Sequence, residues 1–327
     1  MCANYAYSHP WKATGRRISS LSSKATARSI RCLILSPLVC SATTSTSSPF
    51  ICPIDVAEAM RGIGRPAEFM KNSIIPHIDE GPTTGLPVLL IHPLGADQTF
   101  WDGTRKHFSP AIRSVSCNLR GAAGTPVPSD PVTLERTAAD IEAVRQALGI
   151  EGMIVVGCAV GAMAAAAYAG RSPNRVRGVI LSNPASEITE AAGANLTMRA
   201  EAVRRRGMAA LLPDAIANAF PGYMETELRR DYEQRFITQP AEGYALAALG
   251  VVGASVASDL ESIACPVLLI AGRRDMLLPV HQAQKCKARL RNSELMVLER
   301  GAHFIPYQEP TWFAEQVNRF TRQYETA

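Results

Sequence analysis

An aspartate, a histidine and a glycine-flanked corner are the residues of this chain whose types and spacing could do chemistry. The corner is Gly157-Cys158-Ala159-Val160-Gly161, between the β-branched run Met153-Ile-Val-Val156 and an alanine-rich run over 162–169. Nearly side-chain-free outer positions let a helix start hard against a strand, and the strained middle residue then projects into a site. That middle position is a nucleophile seat, but here it is Ala159, which has no oxygen to attack with. Asp275 follows an apolar run in Gly272-Arg-Arg-Asp-Met-Leu-Leu-Pro279, and His303 lies in Gly301-Ala-His-Phe304. In the order seat, acid, histidine, Asp275 would accept a hydrogen bond from one ring nitrogen of His303. That bond fixes the tautomer and stabilises the imidazolium formed during turnover. Backbone N–H groups of Leu94 and Val160 would bind a developing oxyanion. Pro93 has no N–H, which leaves Leu94 as the donor of the turn His92-Pro-Leu-Gly95.

The missing nucleophile leaves several readings open. The chain is an inactivated variant, or a natural homologue that keeps the pocket as a small-molecule binding protein; alternatively His303 activates a water directly, or the Cys158 thiolate substitutes. A shift of one position along an extended strand reverses a side chain, which counts against Cys158. Alanine at the seat also argues against haloalkane dehalogenation, which would call for Asp there. Among the remaining candidates, His92 reads as structural, and His77, His107 and His281 as surface or helix residues. Asn183 ends a strand where an acid could stand but cannot carry the charge. Arg204-Arg205-Arg206 reads as a solvated helix face, with the runner-up that one of them reaches a substrate carboxylate.

These groups need a sheet to bring them together, and from residue 74 onward the pattern alternates strand and helix, which predicts a mostly parallel sheet with helices on both faces. Strands are expected at Pro87–His92, Arg113–Leu119, around Met153, at Val176–Asn183, Pro266–Gly272 and Glu294–Leu298. Helices are expected through Trp101 and Phe108, over Pro131–Leu148 with Thr133 as cap, over Val280–Leu290 and over Trp312–Tyr324. Residues from about 185 to 255 break the alternation and read as an inserted helical lid over the pocket. Ligands of open parallel sheets bind outside the carboxyl ends of the strands, where all four candidate segments fall.

The chain divides into a leader, 1–69, and one α/β domain, 70–327. Of 34 Lys and Arg, eight lie in 1–69, leaving 26; of 29 Asp and Glu, three lie there, also leaving 26. The net charge of +5 therefore resides in the leader, and a neutral body argues against a nucleic-acid partner. No apolar run approaches the ~20 residues of a spanning helix, so no membrane segment is expected. The leader reads as a transit-like segment, a short hydrophobic signal region around Cys32–Cys40, or an upstream extension from a start other than the functional one; the last is preferred. Cys117, Cys158, Cys265 and Cys286 show no C-x-x-C spacing and read as free thiols of a reducing compartment.

Over about 74–322 the chain resembles the 3-oxoadipate enol-lactonase branch of the α/β-hydrolases. The resemblance rests on His92-Pro-Leu-Gly-Ala-Asp…Trp101, Leu119-Arg-Gly, Arg206-Gly-Met, Gln239-Pro-Ala-Glu-Gly-Tyr, Pro266-Val-Leu-Leu-Ile-Ala-Gly-Arg-Arg-Asp and Gly301-Ala-His-Phe. It implies the α/β-hydrolase fold with a Ser-His-Asp mechanism, neither cofactor nor metal, and a small carboxylated lactone or ester as substrate. It further implies a cytoplasmic place in the catabolism of aromatic compounds, or an organellar one if 1–69 is a true transit segment. Ala159 departs from the family pattern at its central position.

Overall fold

A computed structural model describes residues 74–324, apart from 213, 224 and 225, so the leader expected over 1–69 lies outside the described residues. The chain enters through β1 (His77–Glu80) and β2 (Val88–Ile91). A 3-10 turn over Gln98–Trp101 then leads into the short helix α1 (Asp102–Arg105). Next come β3 (Ser114–Cys117), α2 (Leu134–Ala147), β4 (Met153–Cys158), α3 (Val160–Arg171) and β5 (Val176–Ser182). The helices α4 (Glu190–Arg206), α5 (Asp214–Ala219), α6 (Glu227–Ile237) and α7 (Ala241–Gly250) follow. The chain closes with α8 (Ala257–Ser262), β6 (Val267–Gly272), α9 (Val280–Lys287), β7 (Ser293–Leu298), α10 (Ile305–Gln308) and α11 (Pro310–Arg322).

The strands form one sheet in the order β1-β3-β2-β4-β5-β6-β7, parallel except for β1, which pairs antiparallel with β3 at the edge. The α/β-hydrolase architecture expected from the sequence is therefore present. The added edge strand has a physical reason. His-Ile-Asp-Glu has no strand pattern of its own, and its position comes from pairing with β3.

Helices cover both faces, so the central strands are apolar throughout. Alternate residues divide cleanly between two cores. Leu89, Ile91, Val155, Leu181 and Leu269 face α2 and α3, whereas Leu90, Val156, Ile180, Leu268 and Ile270 face the side of α6, α7 and α11. Capping fixes the helix starts. Thr133 accepts a hydrogen bond from the Arg136 N–H at the head of α2, as expected, and Thr189 and Thr226 do the same for α4 and α6. Among the described residues no helix is long and apolar enough to cross a membrane.

Candidate active site

The register of the sheet brings the strand ends level. Ile91 is opposite Gly157, Cys158 opposite Ser182, and Ser182 opposite Ile270. Hence the residues that follow β2, β4, β5, β6 and β7 emerge at one rim. Pro93, Leu94, Ala159, Val160 and His303 line the same cavity of about 400 Å³.

At the corner, Ala159 has φ 52° and ψ −116°, a backbone state that non-glycine residues rarely adopt. It is held there from both sides: its N–H donates to the Ser182 carbonyl at 2.9 Å, and its carbonyl accepts from Ala162 and Met163 at the start of α3. The flanking glycines are required by contact. A Cβ on Gly157 would strike the Gly161 carbonyl, and one on Gly161 would lie 2.6 Å from the His92 carbonyl oxygen. The strand-turn-helix corner is thus complete in its backbone, with a methyl group at residue 159.

Asp275 and His303 are brought together at the rim. His303 Nδ1 lies 2.9 and 3.1 Å from the two Asp275 oxygens. A ring nitrogen facing a carboxylate carries the proton, so Nε2 is left as the free acceptor. Asp275 accepts further hydrogen bonds from the Leu277 and Leu278 N–H groups at 2.8 and 2.9 Å and from Asn183 Nδ2 at 2.7 Å. Burial would raise its carboxyl; the His303 ring, with the Leu278 N–H and the Asn183 amide, outweighs that and holds it below the usual carboxylate range. Both residues are nearly buried, at 4% and 7% exposed.

Asn183 does more than its sequence suggested. Its backbone is also at positive φ, 48°, and its amide bridges Asp275 to the Ala302 carbonyl at 2.9 Å, so it positions the acid and the histidine loop together.

The turn at His92–Gly95 is held by groups outside the cavity. The buried His92 receives the Leu119 N–H on Nε2 at 3.0 Å and meets the Pro93 carbonyl through Nδ1 at 2.9 Å. Burial drives its pKa down to about 4, so the ring is neutral and structural, as read from the sequence. Gln239, at the foot of α7, donates to Asp97 at 2.9 Å and accepts the Ala123 N–H at 2.8 Å. Among the described residues, neither the Leu94 nor the Val160 N–H has an acceptor. The Val160 N–H also opens α3, where unpaired amides and the helix dipole favour negative charge.

The two lesser alternatives of the sequence reading, Cys158 as nucleophile and an arginine of 204–206 at the substrate, lie outside the cavity, and Arg204–Arg206 form a solvated helix face as read. Cys158 is fully buried, its sulfur is 3.8 Å from the His303 backbone carbonyl, and it is absent from the cavity wall; burial also pushes its thiol far above the ordinary value. It therefore cannot replace the serine. Arg204 and Arg205 do not reach the cavity either, because they pair with Glu242 and Glu201, and Arg206 is exposed. The arginine in the cavity wall is Arg199, earlier on α4. His77, His107 and His281 lie outside the cavity. Cys117 and Cys286 are buried free thiols, and Cys265 is a partly buried one.

The model of the alpha/beta hydrolase fold family matches residues 87–310, and the chain belongs to that family. It is 26% identical to 3-oxoadipate enol-lactonase 2 of Acinetobacter baylyi, over 73% of this chain and 90% of that protein. It is equally similar, at 26%, to a putative carbamate hydrolase of Agrobacterium fabrum, over 74% and 93%. Among solved structures, a malate-bound thermophilic esterase from Thermogutta terrifontis matches with TM-score 0.72 and 26% identity, over 76% and 93%. The enol-lactonase of Burkholderia xenovorans matches with TM-score 0.71 at 23% identity, over 75% and 95%.

Proposed function

We propose that the protein hydrolyses a small carboxylic ester or lactone with water activated by His303, without a covalent acyl-enzyme. The observation that carries this reading is the Asp275–His303 pair, supported by hydrogen bonds, whose histidine lines the same cavity as Leu94 and Val160, the residues with unpaired N–H groups. The methyl of Ala159 leaves room above it where a serine oxygen would stand. A water in that space gives its proton to His303 Nε2 as its oxygen attacks the substrate carbonyl. The carbonyl oxygen, now anionic, is received by the two N–H groups. Collapse of the tetrahedral intermediate breaks the bond to the leaving oxygen, which takes the proton back from the imidazolium. Asp275 keeps Nδ1 protonated and stabilises the charged ring throughout. The relatives named enol-lactonase and esterase support lactones and esters as the substrate class.

A second reading, binding without turnover in the same cavity, is favoured by Ala159 itself. The two separate in one experiment: a panel of small esters and lactones assayed on the native protein and on His303→Ala in parallel. The hydrolase reading expects native turnover at least about 10²-fold above the variant. Equal rates on every substrate refute it and leave the binding reading.

A further inference from the structure

Alanine at the corner changes the state of the base as well as withholding a nucleophile. His303 Nδ1 is committed to Asp275, and Nε2 has no hydrogen-bond partner among the described residues. A serine hydroxyl at 159 would donate to that nitrogen and occupy it in the resting site. With a methyl there, the base stands free for whatever the substrate brings. No other residue lining the cavity is a carboxylate, a lysine or a cysteine, so His303 is its base.

The surroundings suit a carbon acid. The His303 ring packs against Phe304 with ring centroids 4.6 Å apart, and Ala159, Met163 and Ala185 belong to the same wall. A C–H group loses nothing by burial there, since it gives up no hydrogen bond to water. Charge that leaves the carbon collects on a carbonyl oxygen. The Leu94 and Val160 N–H groups have no acceptor among the described residues, and such donors hold an enolate as well as a tetrahedral oxyanion. The Val160 amide adds the positive end of α3.

We propose that the site also abstracts a proton from carbon, and that its further activity is the double-bond shift of small, mainly apolar β,γ-unsaturated ketones through their enolates. The α C–H bond breaks; its proton passes to His303 Nε2, and its electron pair becomes a new C=C as the carbonyl oxygen takes the negative charge. Asp275 stabilises the imidazolium, and the Leu94 and Val160 N–H groups hold the enolate oxygen. The imidazolium then gives the proton to the γ-carbon, the carbonyl re-forms, and the double bond ends in conjugation with it. One proton and one double bond have moved, and nothing is oxidised or reduced. The inference rests on the base and donors of the hydrolase reading, but it uses neither its water nor an ester bond.

The test uses β,γ-cyclohexenone in heavy water. Absorbance follows the conjugated product, and proton NMR follows deuterium entering the α- and γ-carbons; phenyl acetate hydrolysis is measured on the same samples. The proteins are the native chain, His303→Gln and Ala159→Ser, each first shown to melt as a folded species. Native protein should isomerise the ketone at least about 10²-fold faster than His303→Gln. In Ala159→Ser the new hydroxyl ties up Nε2 with one hydrogen bond, so isomerisation should fall about 3- to 10-fold while ester hydrolysis rises. A merely structural loss would lower both rates, so these opposed changes carry the test even where His303→Gln does not fold. Isomerisation that depends on His303 and falls in Ala159→Ser, with no ester turnover in any of the proteins, supports this inference and refutes only the hydrolase reading. No isomerisation by the native protein, with or without ester turnover, overturns it. Equal isomerisation in native protein and His303→Gln, or isomerisation that holds or rises in Ala159→Ser, overturns it as well.

Discussion

Restoring one oxygen at the corner tests the arrangement most directly. In Ala159→Ser the backbone is already at φ 52° and ψ −116°, so the serine meets no conformational cost that alanine has not met. Ala159 and His303 line the same cavity, and the new hydroxyl is expected to find His303 Nε2 as its acceptor. Melting temperature should therefore stay within a few degrees of native. Removal of the nucleophile from a complete serine-protease triad costs on the order of 10⁶ in kcat, or ~8 kcal/mol, which bounds the gain from above. The water route retains the base and the oxyanion donors, so part of that difference is already recovered. A rise of at least about 10²-fold, ~2.7 kcal/mol of transition-state stabilisation, is the expected outcome. Ester turnover measures the rate, and stoichiometric labelling by a fluorophosphonate, detected as added mass at residue 159, shows whether the serine is activated. A folded variant that neither reacts with the probe nor hydrolyses faster refutes the placement of His303 beside the seat.

Two other perturbations read the supports of the site. Asp275→Asn places an amide where four donors now converge, namely His303, Asn183 and the Leu277 and Leu278 N–H groups. It should lower any His303-dependent turnover by about 10² to 10⁴-fold, because the imidazole tautomer is lost, and stability by ~1–3 kcal/mol, because one donor faces another; kinetics and urea unfolding check both. His92 should govern acid stability, since its folded pKa is depressed to about 4 from an ordinary 6.5. Its contribution is complete above pH 6.5 and is lost as pH falls toward 4, amounting to ~2 kcal/mol at pH 5 by linkage. Urea titrations at pH 8 and pH 5 should show that loss in the native protein and a smaller one in His92→Gln; equal losses in the two proteins refute the assignment.

The parts of this structure that announce themselves in the sequence are those whose environment is uniform. Val88–Ile91 and Val267–Gly272 are buried on both faces, so their apolar runs need no partner to be read as strands. Thr133 caps a helix by bonding three residues ahead, a local signal. Asp275, His303 and the glycine corner are legible because each directly follows such a strand. What escapes is decided by tertiary pairing. His77–Glu80 becomes a strand only against β3. Asn183 and Gln239 gain their roles from partners 92 and 142 residues away along the chain. Arg199 looks in sequence like the solvated arginines later on the same helix, and only the packing around it places it in the cavity wall.

The retained strain at the corner bears on what the site is for. Ala159 and Asn183 both hold positive φ at neighbouring strand ends, each at a cost of ~1–3 kcal/mol, and each is locked by a backbone bond, to Ser182 and to Ile270. With alanine in the seat, the conformation of residue 159 cannot serve to present a nucleophile. It still does two things: it starts α3 with the Val160 N–H unpaired toward the cavity, and it keeps the space above the methyl clear. Asn183 spends its strained backbone on orienting Asp275, which matters only if His303 is to be held ready. Both strained residues among the described ones therefore bear on Asp275, His303 and the Val160 N–H, the groups that the proposed water route uses.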